Sequence, residues 1–94
     1  MNVLASLDIE GAIAVTATQA WRIHPLVVPV VSAAGAGDAL VAGLAVALAN
    51  GEPIETGLRL GTAAAAATVI RPGTAECHRE DVERFLPTVR IECV

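Results

Sequence analysis

A chain of 94 residues allows one small domain, and its composition is apolar, with 54% hydrophobic residues against 17% charged. The formal net charge is -4, the basic residues are scattered arginines, and there is no lysine, so nucleic-acid binding is excluded. Aromatic residues make up only 2% of the chain, so its core must be built from Val, Leu, Ile and Ala.

Asn2 to Leu7 reads as a short buried strand, and Asp8-Ile9-Glu10-Gly11 as a turn in which Gly11 takes positive φ. Ala12 to Thr18 alternates loosely, Ile13 and Val15 on one face and Ala14 and Thr16 on the other, which suits a second strand. Trp21 to Val28 reads as a further extended piece, with Trp21 placed to cover a sheet edge. Pro25 and Pro29 lack the N–H that a central ladder needs, so this piece is assigned to an edge or a loop.

Ala39 to Ala49 is the clearest helix, with Leu40, Leu44 and Leu48 on one face. Asp38 is placed to cap it or to occupy its first turn. The helix is apolar all round, which predicts burial on more than one side. Asn50-Gly51 ends it, with Gly51 left-handed. A second helix runs from Glu52-Pro53 through the alanine run to about Ile70. Its Gly57 and Gly61 predict a close helix–helix approach. Arg71-Pro72-Gly73-Thr74 is a loop, and a short third helix follows from His78 to Leu86, its apolar face formed by Val82, Phe85 and Leu86. Pro87 closes it and Thr88 to Val94 is an extended tail.

The N-terminus has neither the basic region nor the apolar run of a signal peptide. The stretch from Leu26 to Ala49 meets the length rule for a membrane span, but Asp38 falls near its middle and Pro29 with Gly35-Ala36-Gly37 divides it, so it reads as two elements of a soluble protein. Cys77 and Cys93 are too few and too far apart for a disulfide framework, which suits a reducing cytoplasm. Cys77-His78 reads as two unrelated residues before a helix, so no metal ligands are assigned.

The chemistry concentrates at Gly35-Ala36-Gly37-Asp38, between a valine-rich β-like run and the helix. Strand, small-residue turn and helix start together make a concave nest of backbone N–H groups, and the helix dipole adds to its attraction for an anion. Asp38 cannot serve to attract phosphate. Its chemical use there is to take a proton from a hydroxyl while the amides carry developing charge, an economical site for phosphoryl transfer. The loop is not a P-loop, having no Lys or Ser/Thr after it, and it lacks the third glycine of a dinucleotide fingerprint. Read without further context, the same residues also suit a tight turn with Asp38 as an ordinary helix cap. Arg71 either reaches a phosphate or is an exposed loop arginine, and His24 is assigned to an edge; Arg22, Arg59, Arg79, Arg84 and Arg90 read as surface charge.

Val30-Val31-Ser32-Ala33-Ala34-Gly35-Ala36-Gly37-Asp38-Ala39-Leu40-Val41-Ala42-Gly43 resembles the second signature of the ribokinase-like, or PfkB, carbohydrate kinases. The likeness extends over nearly the whole chain, with Val3 to Ala12 similar to the strand and turn near the ATP phosphates and Arg59 to Thr74 similar to the late helix and loop beside the adenine. The resemblance is nearest to the phosphofructokinase and tagatose-6-phosphate kinase branch. It implies an α/β fold, the C-terminal part of a three-layer α/β/α architecture, as one partial domain over residues 1–94. It implies ATP and Mg2+ as cofactors and a sugar or sugar phosphate as acceptor. By resemblance Asp38 is the catalytic base and Gly35, Ala36 and Gly37 form the anion hole, while Ser6, Gly11, Pro25 and Gly73 fall in nucleotide-binding stretches.

Asp8 stands where the family usually has glycine, and Ala33-Ala34 where it usually has a threonine or valine pair. The family's sugar-binding region, lid and Asn-x-x-Glu-type motif have no counterpart in this sequence. The resulting expectation is a kinase segment that is inactive alone and whose apolar surface is covered by a second copy or by the absent kinase region. The competing readings are a non-catalytic, self-associating module and, further off, a small membrane protein.

Overall fold

The computed structural model describes residues 3–6, 12–16, 18–24, 26, 28, 31, 35–72 and 78–93. The sheet is antiparallel throughout, in the order β1 (Val3–Ser6), β2 (Ala12–Val15), β3 (Ala20–Ile23) and β4 (Ile91–Cys93). Three helices, α1 (Ala36–Ala49), α2 (Ile54–Val69) and α3 (Arg79–Phe85), fall between β3 and β4 in sequence, and Leu86–Thr88 adds a single 3-10 turn.

Alternation in β2 resolves in favour of the small residues. Ala12 and Ala14 face inward, while Ile13 and Val15 face out. The register gives the cause: Ala14 stands opposite Trp21, and Ala12 opposite Ile23. A large indole leaves room only for a small cross-strand neighbour on the inner face. Trp21 is 2% exposed and forms the core with Ala12, Ala14, Ile23 and Leu58 of α2, with Leu44, Ile54 and Ile91 packed against them. Trp21 therefore lies at the centre of the core, not over an edge. Strand β3 is likewise central, paired with β2 on one side and β4 on the other. The prolines do not prevent this, because the strand ends at Ile23, before Pro25. The tail becomes β4, with Arg22 opposite Glu92 and the Nε2 of His24 2.8 Å from a Glu92 carboxylate oxygen.

Strand β2 stops at Val15 instead of continuing to Thr18, because Thr16 commits its polar groups to the turn. The N–H of Thr16 donates to the Gln19 carbonyl at 2.7 Å, and the N–H of Gln19 donates to Thr16 Oγ1 at 3.1 Å. A hydroxyl bonded to nearby backbone in this way competes with the strand ladder.

Helices α1 and α2 form a hairpin through Asn50 and Gly51, the latter at φ +73°. Their contact is made by glycine. A Cβ on Gly43 would lie 2.5 Å from the Gly61 backbone, and one on Gly57 would lie 2.8 Å from Leu44 Cδ1. Ala63, Ala66 and Ala67 are buried along α2, and the hydroxyl of buried Thr68 donates to the Ala64 carbonyl at 2.8 Å. Helix α1 is covered mainly along this seam, at Gly43 and Ala47; Val41, Val46 and Leu48 remain exposed. The burial on more than one side that its composition predicts is thus not reached within this chain.

Two arginines read as surface charge or loop from the sequence have structural duties. Arg59 donates through Nη1 to the Val89 carbonyl at 2.9 Å, tying the last segment to α2. Arg71 donates through Nε and Nη2 to one oxygen of Asp81, both at 2.8 Å, and Arg84 stands 3.7 Å from the other. Asp81 is 5% exposed, so this pair fastens the end of α2 to α3. Among the described residues no helix is long and apolar enough to cross a membrane.

Candidate active site at the start of α1

Gly35 precedes α1 at φ +86°, ψ -4°. This left-handed conformation suits glycine because it has no Cβ to clash with the carbonyl. It turns the chain into the helix at once, and the Ala39 N–H donates to the Gly35 carbonyl at 2.9 Å. The helix therefore starts at Ala36, three residues before the sequence pattern places it, because small residues at 36 and 37 suit either loop or helix. Ala36, Gly37 and Asp38 occupy its first turn. Their N–H groups have no carbonyl in a preceding turn and point out along the helix axis. The partial positive charge of the helix start lies over the same three groups.

Asp38 is exposed in that first turn, and its carboxylate has no hydrogen-bond or ion-pair partner among the described residues. A Cβ built on Gly37 meets nothing within 4 Å. The approach to the amides is thus open from the side where Gly37 lacks a side chain. The N–H of Val31 donates to the Val69 carbonyl at 2.7 Å, bringing the approach to this turn beside the end of α2. From there the chain enters the loop that begins at Arg71.

An open groove of about 420 Å3 runs from Gly35 and Asp38 between α1 and α2. Ala39, Ala42 and Val46 line one side, Leu60, Ala64 and Thr68 the other, and Val82 of α3 also contributes. Apolar residues at these positions gave the sequence reading a buried helix, and it offered no sign that they border a groove.

Of the sequence-predicted site, Gly35, Ala36, Gly37 and Asp38 lie together at this helix start. Ser6 ends β1, paired with Ala12. Gly11, Pro25 and Gly73, and with them Asp8, Ala33 and Ala34, lie outside the described residues. Arg71, weighed as a phosphate contact, is engaged with Asp81. No group of three His, Cys, Asp or Glu suited to holding a metal occurs among the described residues.

A left-handed glycine, amides at a helix start and an exposed acid among them form a turn of the kind that can hold an anion, on an α/β scaffold. Residues 1–81 match the model of the pfkB family carbohydrate kinases, and the chain belongs to that family. It is similar to the ATP-dependent 6-phosphofructokinase isozyme 2 of Mycobacterium tuberculosis, with 45% identity over 83 residues, covering 88% of this chain and 24% of that protein. It is also similar to the 1-phosphofructokinase of Escherichia coli K12, with 37% identity over 91 residues, covering 97% of this chain and 29% of that protein. In three dimensions it superposes on phosphofructokinase-2 of Escherichia coli with a TM-score of 0.83 and 30% identity, covering 93% of this chain and 28% of the other. The ribokinase of Thermotoga maritima gives a TM-score of 0.81 and 35% identity, with 92% and 30% covered. The fold is therefore ribokinase-like, and the chain spans less than a third of the length of these relatives.

Proposed function

We propose that this chain supplies the phosphoryl-transfer half of an ATP-dependent kinase acting on a hydroxyl of a sugar phosphate of the phosphofructokinase type. The observation that carries the reading is the unpartnered Asp38 carboxylate in the same helical turn as three free N–H groups. Its relatives' names, 6-phosphofructokinase and 1-phosphofructokinase, support the acceptor class.

The N–H groups of Ala36, Gly37 and Asp38 donate to phosphoryl oxygens, and the α1 dipole favours the negative charge that gathers there. Asp38 accepts the proton of the acceptor hydroxyl as the oxygen attacks. ATP, when bound, supplies the γ-phosphoryl group. The turn fits its phosphates, and no carboxylate cluster for Mg2+ occurs among the described residues. An acceptor that is not held in orientation loses most of the advantage of such a site, and the inactivity we propose for the isolated chain follows from the sugar-binding region that the family resemblance places elsewhere in the kinase. Cys93 is a free, exposed thiol, which suits the reducing cytoplasm in which we place the reaction.

An NMR titration with ATP and Mg2+ tests the site. The amides of Ala36, Gly37 and Asp38 shift first, and Asp38→Asn binds nucleotide more tightly because a negative charge facing the phosphates has been removed. Shifts confined to α3 would place nucleotide elsewhere and overturn the assignment.

A further inference from the structure

We propose that Asp81, through its bond to Arg71, is a positioning residue for the Gly35–Asp38 turn and acts on it by way of the end of α2. The proposal rests on the kinase reading above and adds what holds the turn in place. Three observations carry it. The first is the tie between the approach to the turn and α2, where the Val31 N–H donates to the Val69 carbonyl at 2.7 Å. The second is the hold on α2 itself. Arg71 follows Val69 by two positions, and its Nε and Nη2 both donate to one Asp81 oxygen at 2.8 Å. The Asp81 side chain is buried, and a buried carboxylate is costly unless it is paired. This bond, unlike the exposed pair of Arg79 and Glu83, therefore fixes where α3 meets the end of α2.

The third observation is the groove that opens at Gly35 and Asp38. Thr68, just before Val69 on α2, and Val82, just after Asp81 on α3, both line it. The residues flanking the Arg71–Asp81 bond on either helix thus border the turn. Without that bond the end of α2 and α3 move apart, the Val69 carbonyl moves with α2, and Val31 follows it. The angle at which the chain enters Gly35 changes in consequence. Amides at a helix start serve phosphoryl oxygens only when they are held in a fixed convergent arrangement, so a small displacement weakens the site without unfolding it.

The experiment uses the whole chain, free of ligand, and reads by NMR the amides of Val31 and Ala39, whose bonds to Val69 and Gly35 lie at the two ends of the link. Asp81→Asn and Arg71→Gln are each expected to shift both resonances and to speed exchange of the Val31 N–H about tenfold, with Trp21 emission unchanged. Arg71→Lys keeps the charge but offers one nitrogen in place of two, so it falls between the wild type and Arg71→Gln. If the other two variants lose the native Trp21 emission, Arg71→Lys alone decides, and unmoved amides in it overturn the proposal. Arg59→Gln is the control, since it breaks another arginine bond of α2, to the Val89 carbonyl at 2.9 Å, and is expected to leave both amides in place. Equal shifts in Arg59→Gln would mean general loosening and overturn the proposal, as would unmoved amides in Asp81→Asn and Arg71→Gln. A titration with inorganic phosphate is read separately. Asp81→Asn and Arg71→Gln change the net charge in opposite senses, so long-range attraction would move their phosphate affinities in opposite directions. Both are expected to bind phosphate at Ala36 and Gly37 about threefold more weakly, because the geometry of the amides is what they share. Opposite changes overturn the positioning. Wild-type turn amides that phosphate does not move defeat the kinase reading, and the ligand-free spectra then still decide whether Asp81 positions the turn.

Discussion

Gly43 of α1 faces Gly61 of α2 so closely that a methyl group on Gly43 would stand 2.5 Å from the Gly61 Cα. The two backbones touch with no side chain between them, and the path of α1 away from its first turn is fixed by that contact. Gly43→Ala is expected to destabilise the fold by about 1–3 kcal/mol, because backbone cannot yield as a flexible side chain can. Thermal unfolding followed by circular dichroism measures it, as a fall of at least several degrees in Tm.

Gly37→Ala is the counterpart with the opposite outcome. Nothing lies within 4 Å of a Cβ at this helical position. The fold is expected to gain about 0.5 kcal/mol from the reduced freedom of the unfolded chain. Phosphate binding is expected to weaken, since the new methyl group stands over the open approach to the amides. Urea unfolding and an inorganic phosphate titration, run on the same variant, move in opposite directions if the turn is an anion site.

Arg71 and Asp81 form an unequal pair, with side chains 38% and 7% exposed. Asp81→Ala leaves an arginine free to reach water, and is expected to cost about 1 kcal/mol. Arg71→Ala leaves a buried carboxylate with Arg84, 3.7 Å away, as its remaining ion-pair partner among the described residues, and is expected to cost about 2–3 kcal/mol, below the full cost of breaking a buried pair because Arg71 is partly solvated. Denaturant midpoints for the two variants give the order directly.

Trp21 is the single tryptophan of the chain and is 2% exposed. Its fluorescence is expected to be blue-shifted and insensitive to iodide until the protein unfolds. Trp21→Ala is expected to cost about 3–5 kcal/mol through the cavity it leaves.

The helical hairpin and the Gly35–Asp38 turn were legible because their signals are local. Gly57 and Gly61 lie on one helix and mark a thin surface wherever that helix packs; Asn50-Gly51 ends α1 by its own conformation. The Gly35–Asp38 turn carries its small residues and its acid within four consecutive positions. The place of Trp21 was not legible, because it depends on β4, whose residues lie at the other end of the sequence. Nothing in the spacing of Arg71 and Asp81 announces their pairing, which depends on where α3 packs against the end of α2. For Arg59 the partner is a backbone carbonyl, and a carbonyl has no sequence signature.

The β3–β4 ladder, in which Trp21 stands opposite Cys93, sets the order in which this protein can assemble. The α1–α2 hairpin and the β2–β3 turn need only neighbours in sequence, and such contacts form early. The second side of β3 stays unpaired until residues 91–93 have been made. During synthesis on the ribosome one edge of β3 therefore stays open to another chain until residues 91–93 emerge and close it.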